Sequence, residues 1–573
     1  MKVTYHEKMK NHRHIVTLTL LVFAGALIGI YFQSLGADFL PWDDDYNITL
    51  NLYYKLGAWK DLWSRSYYGM YIPITSSIWA GLYQFFKGSA WPFRAFNLLL
   101  HFTNVVLLYL ILKWWMKEQK IQPFWLCFAG LALFAFHPLQ VETVAWISGG
   151  RDLLSTTFGF LALLCYFQIR NWKGFAFGGL LFVCSLLSKP QVASLPLVIF
   201  ILQIILDSKL WKKTALQMFV WSWPVIGIAA LTFNDQKEVL LKPIELWERP
   251  LVMLDSFGFY WLKLLAPFNL AVDYGRTPQY LLAHLSTQWY PMVLFLALVS
   301  FFYFLAFKKK DVNSAGLFIA WVLCMLPISG IIDFAYQEIS TTTDHYIYFS
   351  LAFMALLSLQ LLNKLAHKKN LLRLSFVSLA IVWSLVSWNR VHVWSGSQIF
   401  FEDMLQKNPH SYSAFIGLGG TASKNSDHAK SLEYFKNALA ERPDDIVAKT
   451  NIASALGLLG QYLEVAKMEP LIFTASFKRA LKMRHIASAS FLTSMGAAAF
   501  FLNQIDISIL YFCQAQTINP YNKEIEKNVD VVIKAYRKSY PGATCPHFSS
   551  PEDFLETAAA VQLANRHLKA ASE

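Results

Sequence analysis

Residues 15–36 read IVTLTLLVFAGALIGIYFQSLG, and residues 41–46 read PWDDDY. An apolar run of that length matches the hydrocarbon core of a bilayer, which takes about 20 helical residues to cross. The carboxylates of Asp43, Asp44 and Asp45 therefore fall just beyond the first crossing, at the lipid–water boundary. There they repel one another and lose solvation unless something binds or uses them. A carboxylate so placed can hold a cation or act as a base.

Working outward, apolar runs of about 16 to 24 residues recur as far as position 391, and hydrophobic residues make up 55% of the chain. This is the composition of a polytopic α-helical membrane protein. From about Trp394 onward the long runs stop, and apolar positions recur at helical spacing. The expected organisation is a membrane part over residues 1–392 and a soluble helical domain over 393–573. The basic flank of Lys2, Lys8, Lys10 and Arg13, with no convincing small-residue cleavage site after it, reads as the flank of a retained first helix.

The net charge of +13 does not point to nucleic acid, because most of the excess lies in short loops between apolar runs. Lys113/Lys117/Lys120, Arg170/Lys173, Lys209/Lys212/Lys213, Lys308/Lys309/Lys310 and Lys364/Lys368/Lys369/Arg373 alternate with loops poor in Lys, the positive-inside pattern. Placing these five loops in the cytoplasm puts Asp43–Asp45, the His137–Arg151 loop, Lys189, residues 233–286, the Gln337–Tyr346 loop and the C-terminal domain on the other face. The N-terminus is then cytoplasmic. An odd number of crossings must separate Asp45 from Lys113, so residues 71–87 are expected to be partly inserted or re-entrant, giving about eleven crossings. The 250–272 stretch, broken by Pro267, is expected to lie in or dip from the outer face.

Cys127, Cys165, Cys184 and Cys324 fall in apolar segments and read as small buried thiols. Cys513 and Cys545 belong to the soluble domain, in a compartment that permits oxidation, which leaves a disulfide between them open. No spacing resembles a zinc site. In the same domain Pro409 and Pro443 are 34 residues apart, as are Ala414 and Ala448. The run Ser431-Leu432-Glu433-Tyr434-Phe435-Lys436-Asn437-Ala438 is echoed by Ser508-Ile509-Leu510-Tyr511-Phe512-Cys513-Gln514-Ala515. This period is similar to that of tetratricopeptide repeats, whose stacked helix pairs form an α-solenoid that binds extended peptide. The interval from Pro443 to Pro520 is not a whole number of repeats, so one unit is expected to be distorted or to carry an insertion.

The outer loops concentrate ionisable groups: His137, Glu142, Arg151 and Asp152 in one, Lys189 in the next, and Asp344-His345-Tyr346 in a third. Each costs several kcal/mol if buried unpaired, so together they predict a hydrated cavity. Basic groups there can hold a lipid-linked phosphate while carboxylates activate an acceptor. Arg151 and Lys189 have simpler uses as well, in pairing with carboxylates or snorkelling to headgroups. His137 before Pro138 reads as holding a helix end, and Glu142 as an orienting group or an ion-pair partner.

In order along the chain, WDD after the first helix, Pro92-Phe93-Arg94 with Asn97 and His101, HPLQVETVAWIS with RDLLS, LLSKPQVASLPLV, YWLKLLAPFNLAV and DHYIYFS precede the repeats. This succession resembles bacterial relatives of the transmembrane and tetratricopeptide-repeat-containing O-mannosyltransferases, of the GT-C superfamily. The resemblance implies a GT-C-type membrane domain and an inverting glycosyltransferase that uses a polyprenyl-phosphate-linked sugar. Asp43 and Asp44 match the acidic motif and would be catalytic. Arg151, Lys189, His345 and Tyr346 would meet the donor phosphate, with Asp45, His137, Glu142, Asp152 and Asp344 in support. One aspartate would take the proton of a Ser or Thr hydroxyl as that oxygen attacks the anomeric carbon. No cofactor is implied; a divalent cation on the three aspartates is chemically conceivable but not expected from the related enzymes.

The chain departs from the family pattern. Gly149-Gly150-Arg151-Asp152 stands where relatives show Glu-Arg-Lys-Asp, His345 replaces an Arg, and Ile72 replaces the Arg before Pro73. His345 would be charged only part of the time near neutrality, so activity that depends on it should fall as pH rises. The expected partners are the polyprenyl-phosphate sugar, an acceptor protein held by the repeats, and membrane lipid, in a bacterial inner membrane with the repeats in the periplasm. The alternatives are transfer to a glycan or lipid, block transfer of an oligosaccharide, and a non-catalytic membrane-anchored scaffold.

Overall fold

The computed structural model describes all residues except 1, 65–69, 123, 237–243, 366–368, 475–476, 479–480, 482–485, 521, 539 and 573. Lys368 of the fifth basic loop lies outside the described residues, as do the side chains of Lys2, Lys8, Lys10 and Arg13. Every regular element named below is a helix. The chain divides into two compact units, Met1–Asn408 and Pro409–Glu573. This division falls beyond residue 392 because the helix Ser397–Lys407 packs on the first unit. Phe400 stacks against Trp394 (4.9 Å) and Trp42 (6.0 Å), and Arg390 reaches Asp403 at 2.5 Å.

The first unit is a multi-pass membrane protein. Among the described residues five helices are long and apolar enough to cross a bilayer: His14–Leu35, Trp91–Glu118, Ser208–Leu231, Tyr290–Phe307 and Asn370–Ser395. A sixth arises if Trp125–Phe136 and Pro138–Ala145, bent by 46° at His137, form one span. The expectation of about eleven crossings requires shorter apolar helices such as Trp172–Ser188 and Val312–Ile328 to be counted too. The Pro73–Phe85 helix has 13 residues, roughly 20 Å of rise, too little to cross about 30 Å of hydrocarbon. It covers a small core of Ile48, Tyr54, Ile72, Trp79, Phe93 and Ile147 beside the acidic loop.

Antiparallel helices carry the chain between two ends of this unit. At one end Arg170 bonds Glu118 (2.6 Å), Asn313 bonds Gln119 (2.6 Å), Lys364 pairs with Asp311, and Arg373 lies over the Trp125 ring. Four of the five basic loops are thereby joined at that end. The loops rich in carboxylates and histidine gather at the other.

The second unit is built of helical hairpins. The repeated spacing read from the sequence corresponds to a repeated contact: Ser431 Oγ donates to the Gly419 carbonyl at 2.8 Å, and Ser508 Oγ to the Gly496 carbonyl at 2.7 Å. Both glycines make room for an aromatic ring, since a Cβ on Gly419 would lie 2.4 Å from Phe435 and one on Gly496 2.9 Å from Phe512. The irregular interval falls between these hairpins, where Tyr462–Ala466 is only five residues long and gives way to a 3-10 turn at Glu469–Phe473. Cys513 and Cys545 form a disulfide with Cα atoms 5.7 Å apart.

Candidate active site

The acidic loop folds around two fixed points. Arg94 enters from the helix Trp91–Glu118 and donates to three carbonyls: Ala37 (3.0 Å), Asp38 (2.7 Å) and Ala145 (2.6 Å). This ties the loop to the segment 141–145. Next, Asp44 is wholly buried; its Oδ1 accepts from Ser148 Oγ (2.7 Å) and Ser148 N (3.0 Å), and its Oδ2 from Leu40 N (3.2 Å). Burial pushes its carboxyl up to about 7, against the pull of Ser148 and Arg94.

Asp43 has φ +53°, in the left-handed region that only a few non-glycine residues adopt, Asp and Asn most readily. That turn points its carboxylate away from Asp44, and its side chain is 46% exposed. Oδ2 meets Arg151 Nη2 at 3.2 Å. Asp45 turns a third way, accepting from Thr49 Oγ1 at 3.3 Å. The three consecutive carboxylates thus diverge, and among the described residues no three acidic, histidine or cysteine side chains converge as a metal cluster.

Arg151 lies against the Trp146 ring, 5.1 Å from its centroid, and His345 also neighbours that indole, at 5.3 Å between rings. His345 packs on Tyr346 (4.3 Å), and Lys189 sits over the Tyr346 ring at 5.4 Å. Lys189 Nζ is bonded to Asp152 Oδ1 at 2.6 Å, both groups buried. Burial lowers the Lys189 ammonium to about 8, with Asp152 opposing. The sequence candidates Asp43, Arg151, Asp152, Lys189, His345 and Tyr346 are thus brought into one network, threaded through Trp146.

Glu142 anchors the 343–345 segment to that network, accepting from Thr343 Oγ1 (2.8 Å) and Asp344 N (3.1 Å) and bonding His345 Nδ1 (2.6 Å). The Glu142 carboxyl is itself buried. The part-time charge expected of His345 is not what its surroundings favour: burial, with Lys189 and Arg151 nearby, holds it well below its ordinary value. Asp344 accepts from Tyr274 Oη at 2.6 Å, and burial raises it to about 6. His137 lies apart from the network. Its Nε2 bonds the Leu264 carbonyl (3.0 Å) and its Nδ1 accepts from Leu139 N (3.3 Å), a neutral ring capping the break between two helices.

The departures from the family pattern have a steric basis at two positions. A Cβ on Gly149 would stand 2.2 Å from the Thr143 carbonyl oxygen, and one on Gly150 2.6 Å from Asn97 Oδ1. At Gly149 the two backbones meet so closely that no side chain fits, whereas at Gly150 the neighbour is the Asn97 side chain. Ile72 is buried in the small core rather than facing the loop.

Sequence reading assigned no role to Arg94, Trp146, Ser148 or Arg390, and weighed Tyr274 only as a lesser candidate beside Asp273 and Arg276. Arg94 carried a usable signal, being an ionisable residue inside a long apolar helix. The others are ordinary in sequence and acquire their roles only by the meeting of distant segments.

With this geometry in hand, comparison with known proteins gives one consistent answer. The chain is 26% identical over 284 residues to a protein O-mannosyl-transferase of Caenorhabditis elegans, covering 45% of this chain and 39% of that protein. It is 28% identical over 187 residues to tmtc2 of Xenopus laevis and 27% over 190 residues to TMTC2 of Homo sapiens, covering 28% and 30% of this chain. All three are protein O-mannosyl-transferases. The chain spans 39% of the first relative and 21–22% of the other two. No protein-family model and no solved structure matches it.

Proposed function

We propose that this chain is a GT-C-type glycosyltransferase that moves a sugar from a polyprenyl-phosphate donor to Ser or Thr hydroxyls of a protein acceptor. The observation that carries the reading is the arrangement of Asp43, Arg151 and Lys189: one accessible carboxylate beside two buried cations, at the end of a membrane unit similar in sequence to protein O-mannosyl-transferases.

In this reading Asp43 accepts the hydroxyl proton as the acceptor oxygen forms its bond to the anomeric carbon. The bond from that carbon to the phosphate oxygen breaks, and its electron pair stays on the phosphate. Attack opposite the leaving group inverts the centre. The charge gained by the phosphate falls to Arg151, whose planar fork suits two phosphate oxygens, and to Lys189. Tyr346 shapes the wall between the cations, while Asp44, locked to Ser148, holds the loop that aims Asp43. A phosphodiester-activated sugar has a good leaving group, so positioning supplies much of the rate.

The lysine-rich end would face the cytoplasm and the Asp43 end the periplasm of a bacterial inner membrane, with the hairpins of the second unit acting as tetratricopeptide repeats that present the acceptor. A disulfide in that unit suits an oxidising compartment. Glycopeptide mass spectrometry of envelope proteins from cells carrying the wild-type chain, a deletion and Asp43→Asn tests the proposal. Hexose additions on Ser or Thr peptides should vanish in both altered strains. Identical glycopeptides in all three would overturn protein transfer and favour a glycan or lipid acceptor.

A further inference from the structure

A cleft in the first unit lies at the lysine-rich end, away from Asp43. Arg94 and Glu118 occupy opposite ends of one helix, which at 1.5 Å per residue sets them roughly 36 Å apart. Glu118 lines the cleft, which holds a volume of about 140 Å³ and opens to the surface. Its floor is polar: Tyr166 Oη donates to Gln217 Oε1 at 2.8 Å and to the buried Thr214 hydroxyl at 3.4 Å.

The rim is cationic. Arg170 and Lys213 line it, and Lys173, Lys209 and Lys212 are exposed on the same turns. Against these five stand two carboxylates, both partly committed. Glu118 bonds Arg170 Nη2 at 2.6 Å, and Asp207 accepts from Lys209 N at 3.1 Å. The four lysines make no ion pair among the described residues. The wall is apolar, with Phe175, Leu206 and Leu210. Trp172 and Trp211, 73% and 49% exposed, flank the mouth as tryptophans do at headgroup depth.

A ligand for this cleft needs an anionic head for the rim, hydroxyl or ester oxygens for Tyr166 and Gln217, and an apolar tail for the outer wall. A basic pocket between membrane helices is the setting in which anionic lipid headgroups are bound. We propose that the cleft lined by Arg170, Lys213, Tyr166 and Gln217 binds the phosphate headgroup of an anionic phospholipid from the leaflet at the lysine-rich end.

Native mass spectrometry of the full chain in detergent, titrated with phosphatidylglycerol or phosphatidylcholine, tests this. Wild-type protein should retain one phosphatidylglycerol in clear preference. Arg170→Gln/Lys213→Gln should weaken retention about tenfold or more. Lys308→Gln/Lys309→Gln, at the same end but outside the cleft, should leave it unchanged. Glu118→Gln, which frees Arg170 without removing a cation, should strengthen retention and remains informative if the double variant misfolds. Equal retention of the two lipids, or equal weakening by both double variants, would overturn the site. Displacement of the lipid by millimolar inorganic phosphate would overturn the lipid in favour of a free anion.

Discussion

Asp43 and Asp44 are adjacent in sequence and opposite in environment: Asp43 is half exposed and reaches Arg151 at 3.2 Å, while Asp44 is sealed against Ser148 at 2.7 Å. The left-handed backbone at Asp43 produces the divergence. A chemical role suits the first and a positioning role the second.

Substitution should separate these roles. Asp43→Asn is expected to lower the transfer rate by about 10²–10⁴-fold, the range for losing a positioned base, with the melting temperature nearly unchanged. Asp44→Asn should instead remove a pH dependence of folding. The folded pKa of Asp44, about 7, lies above its unfolded value, so its contribution favours the fold at low pH and is lost as pH rises from about 4 to 7. Melting curves across that window should flatten in Asp44→Asn; an unchanged slope would count against the assignment.

Ser148 donates twice to Asp44 and receives from Asn47 Nδ2 at 3.2 Å. Ser148→Ala leaves the buried carboxyl one donor short and should cost about 1–3 kcal/mol in chemical denaturation of the first unit. Ser148→Thr, which keeps the hydroxyl, should lose less.

Lys189 titrates near 8 in its buried pair with Asp152. If its charge meets the donor phosphate, transfer should decline as pH rises through about 8, since the cation is present below that value and lost above it. Lys189→Arg carries a guanidinium that stays protonated. Its residual activity should show no alkaline limb there, and persistence of the limb would assign it to another group.

The Cys513–Cys545 bridge closes a loop with a sequence separation of 32. Chain-entropy arguments put its contribution at roughly 3–4 kcal/mol. Cys513→Ser should lower the unfolding midpoint of the second unit and leave that of the first in place, as differential scanning calorimetry would show.

How much of this was legible in the sequence depends on distance along the chain. The acidic loop, the alternation of basic loops and the repeat spacing are local patterns, and each has a counterpart in the structure. The Ser431–Gly419 contact and its Ser508–Gly496 copy explain why the period survives an irregular unit between them. Pairings such as Lys189 with Asp152, or Glu142 with Thr343 and His345, join segments up to some 200 positions apart, and no periodicity encodes them. The charge state of His345 depends on its burial beside Lys189 and Arg151, which the sequence does not display. That the first compact unit runs on to Asn408 is not visible in sequence, because Trp394 and Phe400 look like the start of a soluble helix until Trp42 is seen against them.

The close approach at Gly149 and Gly150 constrains how this site can change over generations. Where the main chain runs 2.2 Å from the position of an added carbon, no single substitution can introduce an acid or a base there. A variant carrying a charged side chain at position 149 would first have to part the 143 and 149 backbones. Gly149 therefore keeps that stretch of main chain bare, and the charge of the loop rests on its neighbours Arg151 and Asp152.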